Sequence, residues 1–134
     1  LREIVMRASV VLNVARPDQE RAVIDEAHLE RMTLGDRQLE REILEIFLRQ
    51  TAIMLERIAS AGPGLAAAAA HTLVGSARGI GAWQVGEAAE QLERVATRQS
   101  GEAELDGAVE ALKAATIEAS AAIAARLGGV LRDH

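Results

Sequence analysis

An all-α fold is what this sequence predicts: an antiparallel four-helix bundle with an additional short helical segment at its N-terminal side. Three observations lead there. The chain has 134 residues, enough for one domain with one core. Apolar residues make up 49% of it but aromatics only 1%, with Phe47 and Trp83 as the single phenylalanine and tryptophan. A core of Leu, Ile, Val and many Ala favours close helix–helix contact over a β-sandwich. From Asp18 onward, apolar residues recur at steps of three and four between short breaks, which is the spacing of amphipathic helices.

Residues 1–17 form a lead whose structure the pattern leaves open. Val10-Val11-Leu12 is β-branched, and Ser9 and Asn13 weaken a helix, so a further helix, an extended arm and a disordered lead all fit. The bundle is assigned to residues 18–129. Residues 18–33 carry Ala22, Val23, Ala27, Leu29 and Met32 among charges, which suits one or two short helical pieces. Gly35-Asp36 is a break followed by an N-cap residue. The next helix runs to about Ala59, with Leu39, Ile43, Ile46, Phe47, Ile53, Met54 and Ile58 as its apolar stripe. Gly62-Pro63-Gly64 closes it and opens the following helix, with Pro63 at the first helical position. That helix stops at Gly79-Ile80-Gly81, where a glycine takes the left-handed C-terminal conformation. A helix over about 82–98 buries Val85, Ala88, Ala89, Leu92, Val95 and Ala96, and ends at Ser100-Gly101. The last, about 103–127, places Leu105, Val109, Leu112, Thr116, Ala119, Ile123 and Leu127 at steps of four and three. Gly128-Gly129 terminates it and leaves 130–134 as a tail.

Composition narrows the function. With no Cys, disulfides, thiolate chemistry and Cys-based zinc sites are excluded. A net charge of -5 and a pI near 5.2 argue against a nucleic-acid partner, since phosphate binding needs a basic patch. No apolar run approaches the roughly 20 residues of a membrane span. No basic segment leads into an apolar one, so a cytoplasmic location is expected. The three histidines lie far apart with no His-x-x-x-His or Glu-x-x-His pairing, so no metal site is expected. There is no Gly-rich phosphate loop or nucleotide-binding motif, so a kinase is not expected.

The most informative stretch surrounds His71. On a helical projection Leu65, Ala69, Leu73, Ser76, Ala77 and Ile80 cluster roughly opposite the imidazole and form the expected buried stripe. His71 therefore points to solvent. Around it lie Ala67 and Ala68 one turn before, Val74 and Gly75 one turn after, and Arg78 two turns after. Neighbours trimmed to methyls or hydrogen invite another protein's active site to close over the ring. A neutral imidazole nitrogen is a good nucleophile near pH 7. Ser76 reads as packing or bonding to a helix carbonyl, Phe47 and Trp83 as core and cap, and His28 and His134 as surface residues.

His71-Thr72-Leu73-Val74-Gly75-Ser76-Ala77, then Ile80-Gly81-Ala82, then Leu92-Glu93, resembles the histidine-containing phosphotransfer (Hpt) family. Upstream, Ile24-Asp25, Leu29, Leu34-Gly35-Asp36 and Phe47-Leu48 are similar to that family's first and second helices, so the resemblance covers roughly residues 22 to 127. It implies an antiparallel four-helix bundle that relays phosphoryl groups between receiver-domain aspartates. His71 is then the phosphoacceptor and Gly75 the small residue that lets the receiver approach. The family's usual Lys three residues after the histidine is Val74 here, and Arg78, on nearly the same face, is the candidate replacement cation. The expected partner is the receiver domain of a hybrid histidine kinase or a response regulator, which brings its own Mg2+. No cofactor is expected on this chain, and a monomer is expected. The alternative readings are a non-phosphorylated helical adaptor and a dimerisation domain packed through the Ala-rich face.

Overall fold

The computed structural model describes residues 22–60, 62–98 and 100–132, with the backbone alone for 129–132. Among these residues there are five α-helices and no strand: α1 Glu26–Thr33, α2 Arg37–Ser60, α3 Pro63–Ile80, α4 Trp83–Thr97 and α5 Glu102–Arg132. With each long helix packed on the one before it across a connection of a few residues, α3, α4 and α5 each run antiparallel to their predecessor. α3 packs most extensively on α4, and α2–α3, α4–α5 and α2–α5 contacts close the four-helix ring. The short α1 lies against α2 and α3. None of the helices among the described residues is long and apolar enough to cross a membrane. The expected lead of residues 1–17 and His134 lie outside the described residues.

Local signals explain the helix ends. The Asp25 carboxylate caps α1 by accepting from the His28 amide at 3.1 Å, and Asp36 caps α2 by accepting from the Leu39 amide at 3.0 Å. Pro63 stands in the first turn of α3, where its missing N–H costs nothing. Gly81 ends α3 with φ 80°, and a Cβ there would meet Asp25 Cβ at 2.9 Å. Glycine is therefore required twice over at that corner, by conformation and by space. The last helix differs from the expected ending. α5 continues through Gly128-Gly129 to Arg132, because a glycine only weakens a helix by about 1 kcal/mol and stops it where left-handed backbone is actually adopted.

The core is made of aliphatic side chains from all five helices: Leu29, Leu44, Leu73, Leu92, Leu112 and Ile123 are fully buried. Alanines 69, 70, 77, 89 and 119 complete it and let the helices approach closely. Phe47 is core, as expected. The buried face of α2, however, is Glu40, Leu44, Phe47, Thr51, Met54 and Ile58. The expected stripe members Ile46 and Ile53 are about half exposed, at 52% and 50%, and Leu39 is exposed as well. α2 carries two apolar stripes side by side, and its packing against α3 and α5 buries the one containing Leu44. Buried Glu40 is held by Arg126 of α5, whose Nε and Nη2 donate to its carboxylate at 2.7 and 3.1 Å. That hydrogen-bonded carboxylate raises the Arg126 pKa above its ordinary value against the opposing effect of burial.

The corner where α1 meets the α3–α4 turn is a polar latch. Trp83, at the first position of α4, donates from its indole to Asp25 at 2.9 Å, and the Asp25 amide donates to the Gly81 carbonyl at 2.9 Å. His28 is not the surface residue expected. It is half-buried against the Trp83 ring at 4.9 Å, with Nε2 buried and without a hydrogen-bond partner among the described residues.

Candidate functional site

α3 stands between α2 on one side and α4 on the other, with one long face open. His71 projects from that face, its side chain 75% exposed. On the same face Ala68, Thr72, Gly75 and Arg78 are exposed and Ala67 is half-buried. The buried arc is wider than expected and turned toward α4: Ala66, Ala70 and Val74 join Ala69, Leu73, Ala77 and Ile80. Two residues expected in it are displaced. Leu65 is 67% exposed, and Ser76, half-buried, donates to the Gln50 side chain of α2 at 2.6 Å rather than to a helix carbonyl. Val74 is the converse correction. Expected beside the imidazole on the open face, it is only 8% exposed, because α4 packs closely enough to cover it.

Gly75 is exposed, and a Cβ placed on it meets nothing within 4 Å. Neither packing nor backbone conformation therefore asks for glycine in mid-helix, where it weakens the helix relative to alanine. Gly79 is likewise open around its missing Cβ. What the two glycines provide is a shallow surface beyond His71.

The imidazole is not free to turn. Its Nδ1 lies 2.8 Å from a carboxylate oxygen of Glu93 on α4. An ionised carboxylate only accepts, so Nδ1 carries the proton and donates, and in the neutral ring Nε2 keeps its lone pair. Nε2 is thereby the ring nitrogen left with a free lone pair, on a side chain that is largely exposed. Glu93 is the site residue that reading the chain for function overlooked, although Leu92-Glu93 belonged to the motif. The signal was present: His71 and Glu93 stand eleven residues before and after Ala82, at the turn between two antiparallel helices.

The same mirror register sets Glu90 opposite Val74 and Gly86 opposite Arg78. The Arg78 stem accordingly lies over Gly86, whose Cβ would sit 3.6 Å from Arg78 Cγ. Its guanidinium reaches Glu90 at 3.2 Å, and Glu90 also faces Arg94 at 3.6 Å. Arg78 is thus engaged with α4 rather than extended toward the imidazole. No group of three or more His, Cys, Asp or Glu among the described residues is placed to hold a metal ion.

Comparison with known proteins gives consistent results. The Hpt domain family model matches residues 42–123. The crystal structure of histidine phosphotransferase ShpA from Caulobacter crescentus superposes with a TM-score of 0.65 at 31% identity, covering 84% of this chain and 98% of that one. A rice protein assigned to histidine-containing phosphotransfer superposes with a TM-score of 0.75 at 14% identity, covering 98% of both chains, and this likeness speaks to the fold alone. None of the curated proteins compared matches the chain.

Proposed function

The chain belongs to the Hpt domain family, the phosphorelay histidine phosphotransfer proteins, and on that premise we propose that His71 is the residue that carries its phosphoryl group. One observation carries the assignment: an exposed imidazole, anchored through Nδ1 to Glu93, offers Nε2 on a face trimmed to Ala and Gly. In the transfer, Nε2 attacks phosphorus in line with the bond to the receiver's aspartate oxygen. That P–O bond breaks, the N–P bond forms, and the aspartate leaves as a carboxylate. The ring keeps its Nδ1 proton throughout and becomes a phosphoimidazolium, whose positive charge the Glu93 carboxylate offsets. No proton has to leave, so this chain needs no separate general base. Reversal of the same steps loads the next receiver.

The receiver brings the Mg2+ and the acidic pocket. Phosphoryl transfer passes through a loose transition state, so positioning is most of what the carrier contributes. Gly75, Ala68 and half-buried Ala67 form the approach surface, and Arg78 shapes the charge at its edge. Val74 serves the core beneath it.

The test is transfer from a receiver domain charged with acetyl phosphate. The parent should gain an acid-labile, base-stable phosphate that His71→Gln cannot accept. Labelled phosphate on the Gln variant would overturn the assignment.

A further inference from the structure

Beside His71, the seam between the second half of α2 and the first half of α3 opens into a groove of about 490 Å³. Met54, Leu65, Ala68 and Thr72 give it an apolar floor and walls, and Arg57 is the one charged residue lining it. Leu65, at 67% exposure, is the largest apolar side chain of α3 left in water. Arg57 is exposed and makes no ion pair among the described residues. On the opposite flank of His71 the charges are Glu87, Glu90 and Glu93 of α4 with Arg78 and Arg94, and of these Glu93 pairs with His71 and Glu90 with both arginines. The two flanks of the histidine therefore differ: apolar with one unpaired cation toward α2, a paired network of charges toward α4.

We infer that this groove is a specificity site for the receiver domain, taking an aliphatic side chain against Leu65 and Met54 and a carboxylate against Arg57. The inference rests on His71 as the phosphoryl carrier and adds which receivers it accepts and in which orientation. Continuity with the histidine supplies the occupant. Leu65 precedes His71 by six residues, about 9 Å along the helix axis. A protein interface of standard size covers about 800 Å² on each partner, a disc about 16 Å in radius. A receiver seated over His71 consequently covers the groove as well. Apolar burial there contributes affinity, and the unpaired arginine discriminates, because a partner placing a lysine over Arg57 meets repulsion in a partly desolvated contact. Because the groove lies on the α2 flank alone, it also sets the orientation of the partner.

Parent protein is first labelled with phosphoramidate, a small donor that needs no docking, to establish phosphate on His71. Transfer from an acetyl-phosphate-charged receiver domain that labels His71 is then followed over a range of receiver concentration for parent, Leu65→Gln and Arg57→Glu. Both substitutions lie on exposed helix surface and should leave the circular dichroism spectrum unchanged. The half-saturating receiver concentration should rise about tenfold in each, with the effect falling there rather than on the rate at saturation. Half-saturation within about twofold of the parent for both variants would overturn the groove while leaving His71 in place. A loss confined to the saturated rate would overturn it too. So would sedimentation showing a parent dimer that Leu65→Gln dissolves, since the groove would then belong to a second copy. If phosphoramidate and the receivers all leave His71 unlabelled, the carrier assignment itself fails and this inference falls with it.

Discussion

At the scale of single residues, the site turns on what surrounds the histidine rather than on the histidine alone. His71 is so exposed that its removal touches no core packing. His71→Gln is expected to melt within about 2 °C of the parent, because surface substitutions usually stay within about 0.5 kcal/mol. Its failure to take phosphate is then a loss of chemistry and not of fold. Gly75 permits a sharper separation. With nothing within 4 Å of its missing Cβ, Gly75→Ala should stabilise the protein by about 0.5–1 kcal/mol, read as a higher denaturant midpoint. Gly75→Gln should retain the stability of a good helix former and lose transfer from a receiver, since a long side chain then stands one turn beyond His71. Transfer at the parental rate in the Gln variant would show that the receiver does not cross this turn.

Between elements, the antiparallel register of α3 and α4 decides which charges reach the site. By the mirror register about Ala82, Glu90 falls opposite buried Val74. Arg78, one turn further along, pairs with that carboxylate at 3.2 Å. Neutralising Glu90 is the role this geometry supports for Arg78, in place of direct contact with phosphate. Arg78→Ala should then slow transfer at saturating receiver by about tenfold, the effect of about 1.4 kcal/mol of unscreened repulsion on an incoming phosphoryl group. Glu90→Gln in the same chain should restore most of the rate. A double variant as slow as Arg78→Ala alone would mean that the guanidinium does act on the phosphate itself. Saturation matters in this comparison, because salt and surface charge also alter encounter rates.

Across the whole molecule, polar clamps at the periphery hold the histidine helix in register. Arg126 ties α5 to Glu40 of α2 and approaches Glu26 of α1 at 3.4 Å, while Asp25 joins the start of α1 to the α3–α4 corner. Burial pushes the Asp25 carboxyl up, but hydrogen bonds from the Trp83 indole and the His28 amide, with nearby His28 and Arg31, outweigh it and hold it below its ordinary value. A carboxylate depressed on folding stabilises the native state above its unfolded pKa of about 3.9, and that stabilisation is lost as pH falls through the lower folded value. Asp25→Asn should therefore be less stable than the parent by about 1 kcal/mol at neutral pH, by denaturant titration, and the two should converge as pH falls through the lowered Asp25 value. A constant difference across that range would assign the loss to shape and not to charge.

Periodicity and breaks were enough to read an all-α chain, four long helices, the Pro63 start, the Gly81 stop and an exposed histidine flanked by small residues. Each of these depends on a residue's own backbone preference or on spacing along one helix, and such properties are local. What stayed illegible depends on the neighbouring helix. α2 has two candidate apolar stripes, and which one is buried follows from how α3 and α5 pack on it, so Leu44 displaced Ile46 and Ile53. The buried arc of α3 is turned toward α4, which took Val74 inward and left Leu65 outside. Glu93 and the partner of Arg78 required a pairing register across the Gly81-Ala82 turn. A helix specifies its own face to within about one residue's rotation, about 100°. That angle separates a core valine from a surface one, and only the packing of two helices against each other settles it.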